Sequence, residues 1–182
     1  MNRREETALK LIEPTAGYER QIREYRREFI ESGDTMDGTC GLIQSEDPIE
    51  WIERTKRYRN PCTVPPGKVP STQYMLVREE DGKIVGMIQL RHRLNVYLER
   101  YGGHIGYSVA PGERRKGYAT FMLKSVLPIC ADMGISRVLV TCSRGNEGSR
   151  RTIIKNGGVY ESTVCEPDEG IYLERYWIDT SR

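Results

Sequence analysis

The sequence lacks any run of about 20 apolar residues, the length that a membrane-spanning helix needs. It also has little net charge, because 28 lysines and arginines are nearly balanced by 26 acidic residues. A net charge of +2 creates no strong field for nucleic acid or anionic lipid, so we expect neither as a partner. The basic N-terminus is not followed by the apolar stretch of about 7–15 residues that a signal peptide contains. Together these absences favour a cytoplasmic protein.

Patterns typical of disulfide frameworks and metal sites are missing as well. The chain has five cysteines, an odd number, and no two of them have the spacing of a Cys-x-x-Cys zinc site. Its two histidines have no nearby acidic or cysteine partners that would complete a metal site. We therefore expect no metal, and five free thiols in a reducing compartment: Cys40, Cys62, Cys130, Cys142 and Cys165.

The pattern of apolar residues, glycines and prolines predicts one mixed α/β domain covering residues 1–182. Ile22, Tyr25 and Phe29 recur with the period of a helix, and Asp81-Gly82 is typical of a tight hairpin between two strands. The predicted order is βααβββαβαββ, with strands at 8–13, 73–79, 83–90, 103–110, 137–142, 159–165 and 171–178, helices at 15–32, 48–59, 118–133 and 146–156, and one short helical turn at 95–101.

The segment Val109–Ala119 combines the features of an anion-binding site. A predicted strand ends, a polar loop follows, and a helix starts directly after the loop. The start of a helix leaves about four N–H groups unpaired and carries roughly half a positive charge, so it suits a phosphate. Gly117 allows close approach of the main chain, and residues 114–116 are all basic. The alternative is a solvated basic loop, since neither a Walker loop nor a dinucleotide fingerprint is present.

The same segment resembles the signature of the GNAT superfamily of N-acetyltransferases. Arg114-x-x-Gly117-x-Ala119 matches the pattern Arg/Gln-x-x-Gly-x-Gly/Ala of that family. Val109-x-Pro111 matches the usual lead-in to the signature. The match therefore includes both the loop and the strand before it.

A second stretch extends the resemblance downstream. Asn146-x-x-Ser149, followed by Lys-Asn-Gly-Gly at 155–158, is similar to the family's Asn-x-x-Ala/Ser … Lys-x-Gly-Phe segment. The order of predicted elements also fits the family from residue 8 to residue 178. The resemblance implies the family's fold, a mixed and mostly antiparallel sheet of about six to seven strands flanked by helices.

The resemblance implies acetyl-CoA as co-substrate and transfer of its acetyl group to a primary amine by direct attack in a ternary complex. In this family, loop amides bind the pyrophosphate, and the pantetheine arm pairs with the strand that ends here at Val109. Asn146 and Ser149 fall where the family places polar contacts to this arm, although Asn146 can equally serve as a helix cap. The implied cofactor-binding residues are Tyr107, Ser108, Val109, Arg114, Arg115, Lys116, Gly117, Tyr118, Ala119, Asn146 and Ser149.

The family's usual general acid is missing from this sequence. Many members place a tyrosine four residues after the position of Ser149, but Ile153 occupies it here. Tyr107 and Tyr160 are alternative hydroxyl groups, and the thiolate can also leave unaided because thiol pKa values are about 8.5. The missing tyrosine leaves open a second function, a non-catalytic acyl-CoA-binding or regulatory module of the same fold.

A histidine is the candidate base. His104-Ile105-Gly106-Tyr107 resembles the Glu-Ile-Gly-Tyr strand of the branch that acetylates protein N-termini, including those of ribosomal proteins. His104 could take a proton from the amine directly or through water, because imidazole titrates near neutral pH. The alternative is a structural histidine, and the same choice applies to His92 at the end of the preceding strand. His104 and Tyr107 are the two residues to which we assign catalytic roles from the sequence.

The acceptor is poorly specified by the sequence. In the family, the loop between the first two helices and the loop between the last two strands form the walls of the acceptor pocket. Both loops are acidic here, which favours a cationic amine, although solvated turns would have the same composition. The family often forms dimers, so a homodimer is also open. The acidic residues are Asp34, Asp37, Glu46, Asp47, Glu166, Asp168 and Glu169.

Overall fold

The computed structural model describes residues 8–180. A seven-stranded sheet with the order β1-β2-β3-β4-β5-β7-β6 forms its centre. All neighbouring strands are antiparallel except β4 and β5, so the predicted GNAT-like architecture is confirmed. The elements are β1 (Leu9–Ile12), α1 (Glu19–Ser32), α2 (Pro48–Arg59), β2 (Ser71–Arg78), β3 (Ile84–Arg91), β4 (Ile105–Val109), α3 (Tyr118–Asp132), β5 (Arg137–Ser143), α4 (Glu147–Lys155), β6 (Val159–Glu166) and β7 (Ile171–Asp179).

Local sequence signals account for the helix limits. Asp47 caps α2, because its Oδ1 accepts a hydrogen bond of 2.8 Å from the N–H of Ile49 and Pro48 occupies the first helical position. The helix α1 begins four residues later than the sequence predicts. Thr15 makes no side-chain cap, and the 3₁₀ turn Ala16–Tyr18 precedes the helix instead.

The sheet separates two apolar clusters, one on each face. Ile22, Phe29 and Trp51 from α1 and α2 pack against Met87 of β3, and all four are fully buried. The other face carries a cluster that joins α3 and α4 to strands β2–β5 and β7. Successive residues of β4 therefore point to opposite helix layers.

The parallel contact between β4 and β5 is interrupted. Within residues 8–180 the two strands are paired only at Ile105 and Val140, near the start of β4. On its other side β4 pairs with β3, where the N–H of Ala110 donates to Val85 and the N–H of Arg91 donates to His104. Because hydrogen-bonded and non-bonded pairs alternate in an antiparallel ladder, the main-chain groups of residues 107 and 109 face away from β3, towards β5. They line a gap between β4 and β5.

The loop between α1 and α2 makes close contact with β4 at two glycines. Gly38 has a φ of +65°, and a Cβ built on it would overlap the carbonyl oxygen of Gly106. A Cβ on Gly106 would in turn lie 3.1 Å from the Cα of Gly38. The main chain of this loop therefore lies directly on β4, at the residue before Tyr107.

We expect Gly38→Ala to lower the free energy of unfolding by about 2–4 kcal/mol, because the new methyl group forces two backbones apart in addition to the left-handed strain. Gly33→Ala is the matched control, since Gly33 has a φ of +68° and no atom within 4 Å of a built Cβ. The control isolates the strain, which we expect to cost about 1 kcal/mol. Urea unfolding of both variants measures the difference, and equal losses would contradict the close contact.

Candidate active site

The loop after β4 ends in an open helix N-terminus, as the sequence predicts. Gly117 precedes α3 with a φ of +89°, and the first N–H groups of the helix point into this loop. Cβ atoms built on Gly112 and Gly117 would have no heavy atom within 4 Å, so neither position is filled by protein. The loop therefore has unpaired donors and free space for an anionic group such as a diphosphate.

The three basic residues of this loop have different partners. Arg114 forms an ion pair of 3.0 Å with Asp34 after α1, and Lys116 forms one of 2.8 Å with Glu113. Arg115 makes no ion pair with any of residues 8–180, and it has a left-handed φ of +66° that non-glycine residues rarely adopt. Arg115 is therefore the loop cation that is available to a phosphate without breaking an existing pair.

A buried carboxylate anchors the loop to the β2–β3 hairpin. Glu113 is 6% exposed and also forms an ion pair of 2.9 Å with Arg78 of β2. Burial alone would raise the pKa of Glu113, but hydrogen bonds from Lys116 and Arg78 outweigh this effect and hold the pKa below its usual value. This contact could not be predicted from the sequence, because the two partners are 35 residues apart.

Three residues predicted for the cofactor arm come together beside the gap. The hydroxyl of Tyr107 lies 2.8 Å from Oγ of Ser149, at the start of α4. The N–H of Ser149 donates to Oδ1 of Asn146, which therefore acts as the helix cap. Ile153 is fully buried in the cluster behind them, so the position of the usual tyrosine is a core position here.

Ser108 points to the opposite face of β4 from Tyr107. The hydroxyl of Tyr25 in α1 lies 3.0 Å from the carbonyl oxygen of Ser108 and 3.1 Å from its Oγ. Burial raises the pKa of Tyr25, so this hydroxyl stays protonated and donates. The sequence pattern identified Tyr25 only as an apolar-face residue of the helix, and its polar contact with β4 was missed.

His104 is held by the backbone of β5. Its Nδ1 accepts a hydrogen bond of 3.0 Å from the N–H of Leu139, so in the neutral ring the proton is on Nε2. Burial, with a smaller effect of Arg91, lowers the pKa of His104 from 6.5 to about 4. The imidazole is therefore neutral near pH 7, but the lone pair that a base needs is already in use. This geometry favours the structural alternative for His104.

We expect His104 to make stability depend on pH. Its folded pKa of about 4 is below the unfolded value of 6.5, so the unfolded state binds more protons between these values. The free energy of unfolding should fall by about 2 kcal/mol as the pH drops from 6.5 to 4.5. His104→Asn keeps an acceptor for Leu139 and should remove this loss, whereas His92→Gln should retain it. An unchanged pH profile in His104→Asn would contradict the assignment.

The other sequence candidates lie elsewhere. Tyr160 is 54% exposed on the edge strand β6, where its hydroxyl contacts Thr163 at 2.9 Å. Nε2 of His92 lies 2.8 Å from Oγ1 of Thr72, at the far end of β3.

The five cysteines are unpaired. Within residues 8–180 no cluster of three metal-ligating side chains is present, and no helix is long and apolar enough to cross a membrane.

Comparison with known families identifies the chain. The sequence model of the acetyltransferase (GNAT) family matches residues 36–157, about two thirds of the chain. The protein therefore belongs to the acetyltransferase (GNAT) family. This membership confirms the predicted class of enzyme, an acetyl-CoA-dependent N-acetyltransferase. A comparison with curated protein sequences gives no match.

Solved structures share the fold at low sequence identity. The ribosomal-protein-S5-alanine acetyltransferase of Vibrio fischeri has a TM-score of 0.71 and 13% identity, covering 95% of this chain and 93% of that one. The microcin C7 self-immunity acetyltransferase, solved with acetyl-CoA and AMP, has a TM-score of 0.67 and 15% identity over 94% and 92%. The dodecameric spermidine N-acetyltransferase of Vibrio cholerae has a TM-score of 0.65 and 15% identity over 95% and 94%.

Proposed function

We propose that this protein transfers the acetyl group of acetyl-CoA to a primary amine by direct attack in a ternary complex. The observation that carries the proposal is the gap between β4 and β5, which opens beside a helix N-terminus suited to a diphosphate. The solved structures include an acetyltransferase named for an alanine of ribosomal protein S5 and one named for spermidine, which is an amine. Their low identity leaves the acceptor of this chain to be identified.

The chain's own residues fit the cofactor at three places. The amides of residues 114–119 would hold the pyrophosphate, with Arg115 as the cation free to approach it. The main-chain groups of Tyr107 and Val109 face the gap and would pair with the pantetheine arm. When bound, acetyl-CoA supplies the acetyl group as an activated thioester. Asn146 and Ser149 would line the same arm from the start of α4.

Tyr107 is the residue we assign as hydrogen-bond donor in the reaction. Burial raises the pKa of Tyr107 well above its usual range, so the hydroxyl remains protonated. Such a hydroxyl is a weak acid, but it can donate a hydrogen bond to negative charge that develops during acyl transfer. The amine must lose a proton before it attacks, and water in the gap is the acceptor we assign, because Nδ1 of His104 is already bonded.

The test is release of CoA from acetyl-CoA in the presence of a panel of amines. The panel contains spermidine, a peptide with an N-terminal alanine, and small amines with neutral and charged substituents. Turnover with any of them supports the enzyme. Binding of CoA without turnover of any amine would instead support the alternative, a non-catalytic acyl-CoA-binding module.

A further inference from the structure

A cationic cavity lies on the α1–α2 face of the sheet, beside β4. It has a volume of about 550 Å³ and is formed by α2, the loop before it, the ends of β2 and β3, and the turn before β4. Arg54, Lys68 and Arg91 line it, together with Gln89, Tyr58 and Tyr97. Among residues 8–180, no aspartate or glutamate lines this cavity. A cavity with three cations and no carboxylate suits an anion.

The guanidinium groups of this cavity are incompletely paired. Nη2 of Arg54 donates to the carbonyl of Gly41 and to Ser45, but its Nε is buried without a partner. Nη1 of Arg91 donates at 3.0 Å to the carbonyls of Gly102 and Gly103. Neither arginine forms an ion pair within residues 8–180. Burial lowers the pKa of Arg91, and the negative charge of Asp37 in the loop between α1 and α2 opposes this effect. Because a buried donor without a partner is costly, Nε of Arg54 is prepared for an anionic ligand.

Both arginines act on a group in the cavity wall, the thiol of Cys40. Burial raises the pKa of the Cys40 thiol, and the charges of Arg54 and Arg91 both oppose that rise. The two guanidinium groups therefore lie close enough to act on the same atom. Lys68 is exposed at the cavity and makes no ion pair with any described residue. All three cations line the same cavity.

The cavity adjoins the proposed site of acyl transfer. Gln89 lines it and is paired in the sheet with Gly106, the residue before Tyr107. The N–H of Arg91 donates at 2.7 Å to the carbonyl of His104. A ligand in the cavity thus lies along the first half of β4, whereas the anion-binding loop lies at its other end.

Carboxylates lie beyond Tyr97 at the edge of the cavity. The pKa of Tyr97 is raised by burial and then by the negative charges of Glu166, Glu169 and Asp168. Glu166 is 2% exposed, and its Oε1 is buried without a hydrogen-bond partner. The interior of the cavity is therefore positive and one edge is negative. This arrangement complements a molecule that carries both an anionic group and an ammonium.

We propose that the acceptor is a primary amine that also carries a carboxylate or phosphate group, which binds to Arg54, Lys68 and Arg91. The proposal rests on the proposed acetyl transfer and gives its substrate class. It differs from the purely cationic amine that the acidic loops favour in the sequence. Asp34 already forms an ion pair with Arg114, and Asp47 caps α2, so these two carboxylates have other roles.

The experiment uses pairs of amines that differ in the anion. The pairs are 2-aminoethyl phosphate with ethanolamine, and 4-aminobutyrate with its amide, each assayed for CoA release and for binding by calorimetry in the presence of CoA. We expect the anionic member of at least one pair to have a kcat/KM about tenfold or more above its neutral partner, the gain of a charged hydrogen bond. Equal or better turnover of both neutral members would overturn the proposal.

Lys68→Glu tests the cavity itself, because this side chain is exposed and holds no other residue. The variant should lose the preference for the anionic amine, because the new carboxylate repels the anion of the ligand. Lys124→Glu in α3 is the matched control, an exposed lysine on the other face without an ion pair among the described residues. An equal effect of both variants, or none from Lys68→Glu, would overturn the proposal.

Calorimetry separates this proposal from the proposed function. Binding of 2-aminoethyl phosphate or 4-aminobutyrate that Lys68→Glu abolishes, without turnover of any amine, would retain the anion site and reject acetyl transfer. Turnover of neutral amines without binding of either anionic amine would retain acetyl transfer and reject the anion site. The absence of both binding and turnover would reject both.

Discussion

Gly117→Glu is expected to weaken the binding of CoA by about 10³-fold. The new carboxylate would stand at the N-terminus of α3, where unpaired N–H groups and open space fit a diphosphate. Two like charges at about 4 Å cost roughly 4 kcal/mol near a protein surface, which gives the expected factor. Calorimetry with CoA measures the change directly and does not depend on knowledge of the acceptor.

The control for this variant is Gly134→Glu, at the other end of the same helix. Gly134 has a φ of +76° and, like Gly117, no atom within 4 Å of a built Cβ. Both substitutions therefore introduce the same charge and similar backbone strain. CoA affinity should remain normal in Gly134→Glu, and a comparable loss in both variants would show that strain, rather than the phosphate site, is responsible.

Tyr107→Phe is expected to lower kcat by about 10²-fold while the KM for acetyl-CoA changes little. The variant removes the one hydroxyl that reaches from β4 towards Ser149 beside the gap. Loss of a single donor to developing negative charge typically costs about 10²–10³-fold in kcat. Steady-state kinetics with a competent amine, and thermal unfolding of the same sample, separate loss of chemistry from loss of stability.

Tyr160→Phe provides the comparison, because Tyr160 is the other hydroxyl that the sequence suggests. Its contact with Thr163 on the exposed edge strand does not involve the gap. We expect wild-type kcat in Tyr160→Phe. A normal kcat in Tyr107→Phe would show that the reaction proceeds without a hydroxyl donor from β4, and a loss confined to Tyr160→Phe would move the donor to β6.

Most of the fold could be predicted from local pattern. Asp47-Pro48 indicates where α2 begins. The alternation of residues 105, 107 and 109 predicts that their side chains pack on the same face of the sheet. Such signals act over a few residues, so the sequence displays them directly. The turn at 95–101 was less well defined, because its hydrogen bonds form the π-type turn Leu98–Gly102 rather than an ordinary helical turn.

The site was predictable where one continuous segment forms it. The loop from Arg114 to Ala119 is such a segment, and its cofactor-binding role stays a prediction until CoA binding is measured. Contacts between distant segments were not predictable. The N–H of Leu139 on Nδ1 of His104 and the ion pair of Arg114 with Asp34 depend on how loops meet after folding. No short sequence motif indicates such a contact. The cationic cavity could not be predicted for the same reason, because it forms between segments that are distant in the sequence.

The interrupted contact between β4 and β5 makes the sheet two plates with a seam. Strands β1–β4 form one plate and β5–β7 the other. Among the described residues, the strand pair Ile105–Val140 and the hydrogen bond from the N–H of His104 to the carbonyl of Leu139 join the two backbones. Ile88 and Ile105 of the first plate share an apolar cluster with Val138 and Tyr176 of the second, and this packing holds the plates together. Apolar packing is non-directional, so it resists separation of the plates more than a small change in their angle. A ligand that bonds to β4 across the seam adds directional restraint where the protein has little, so it should stiffen the whole sheet.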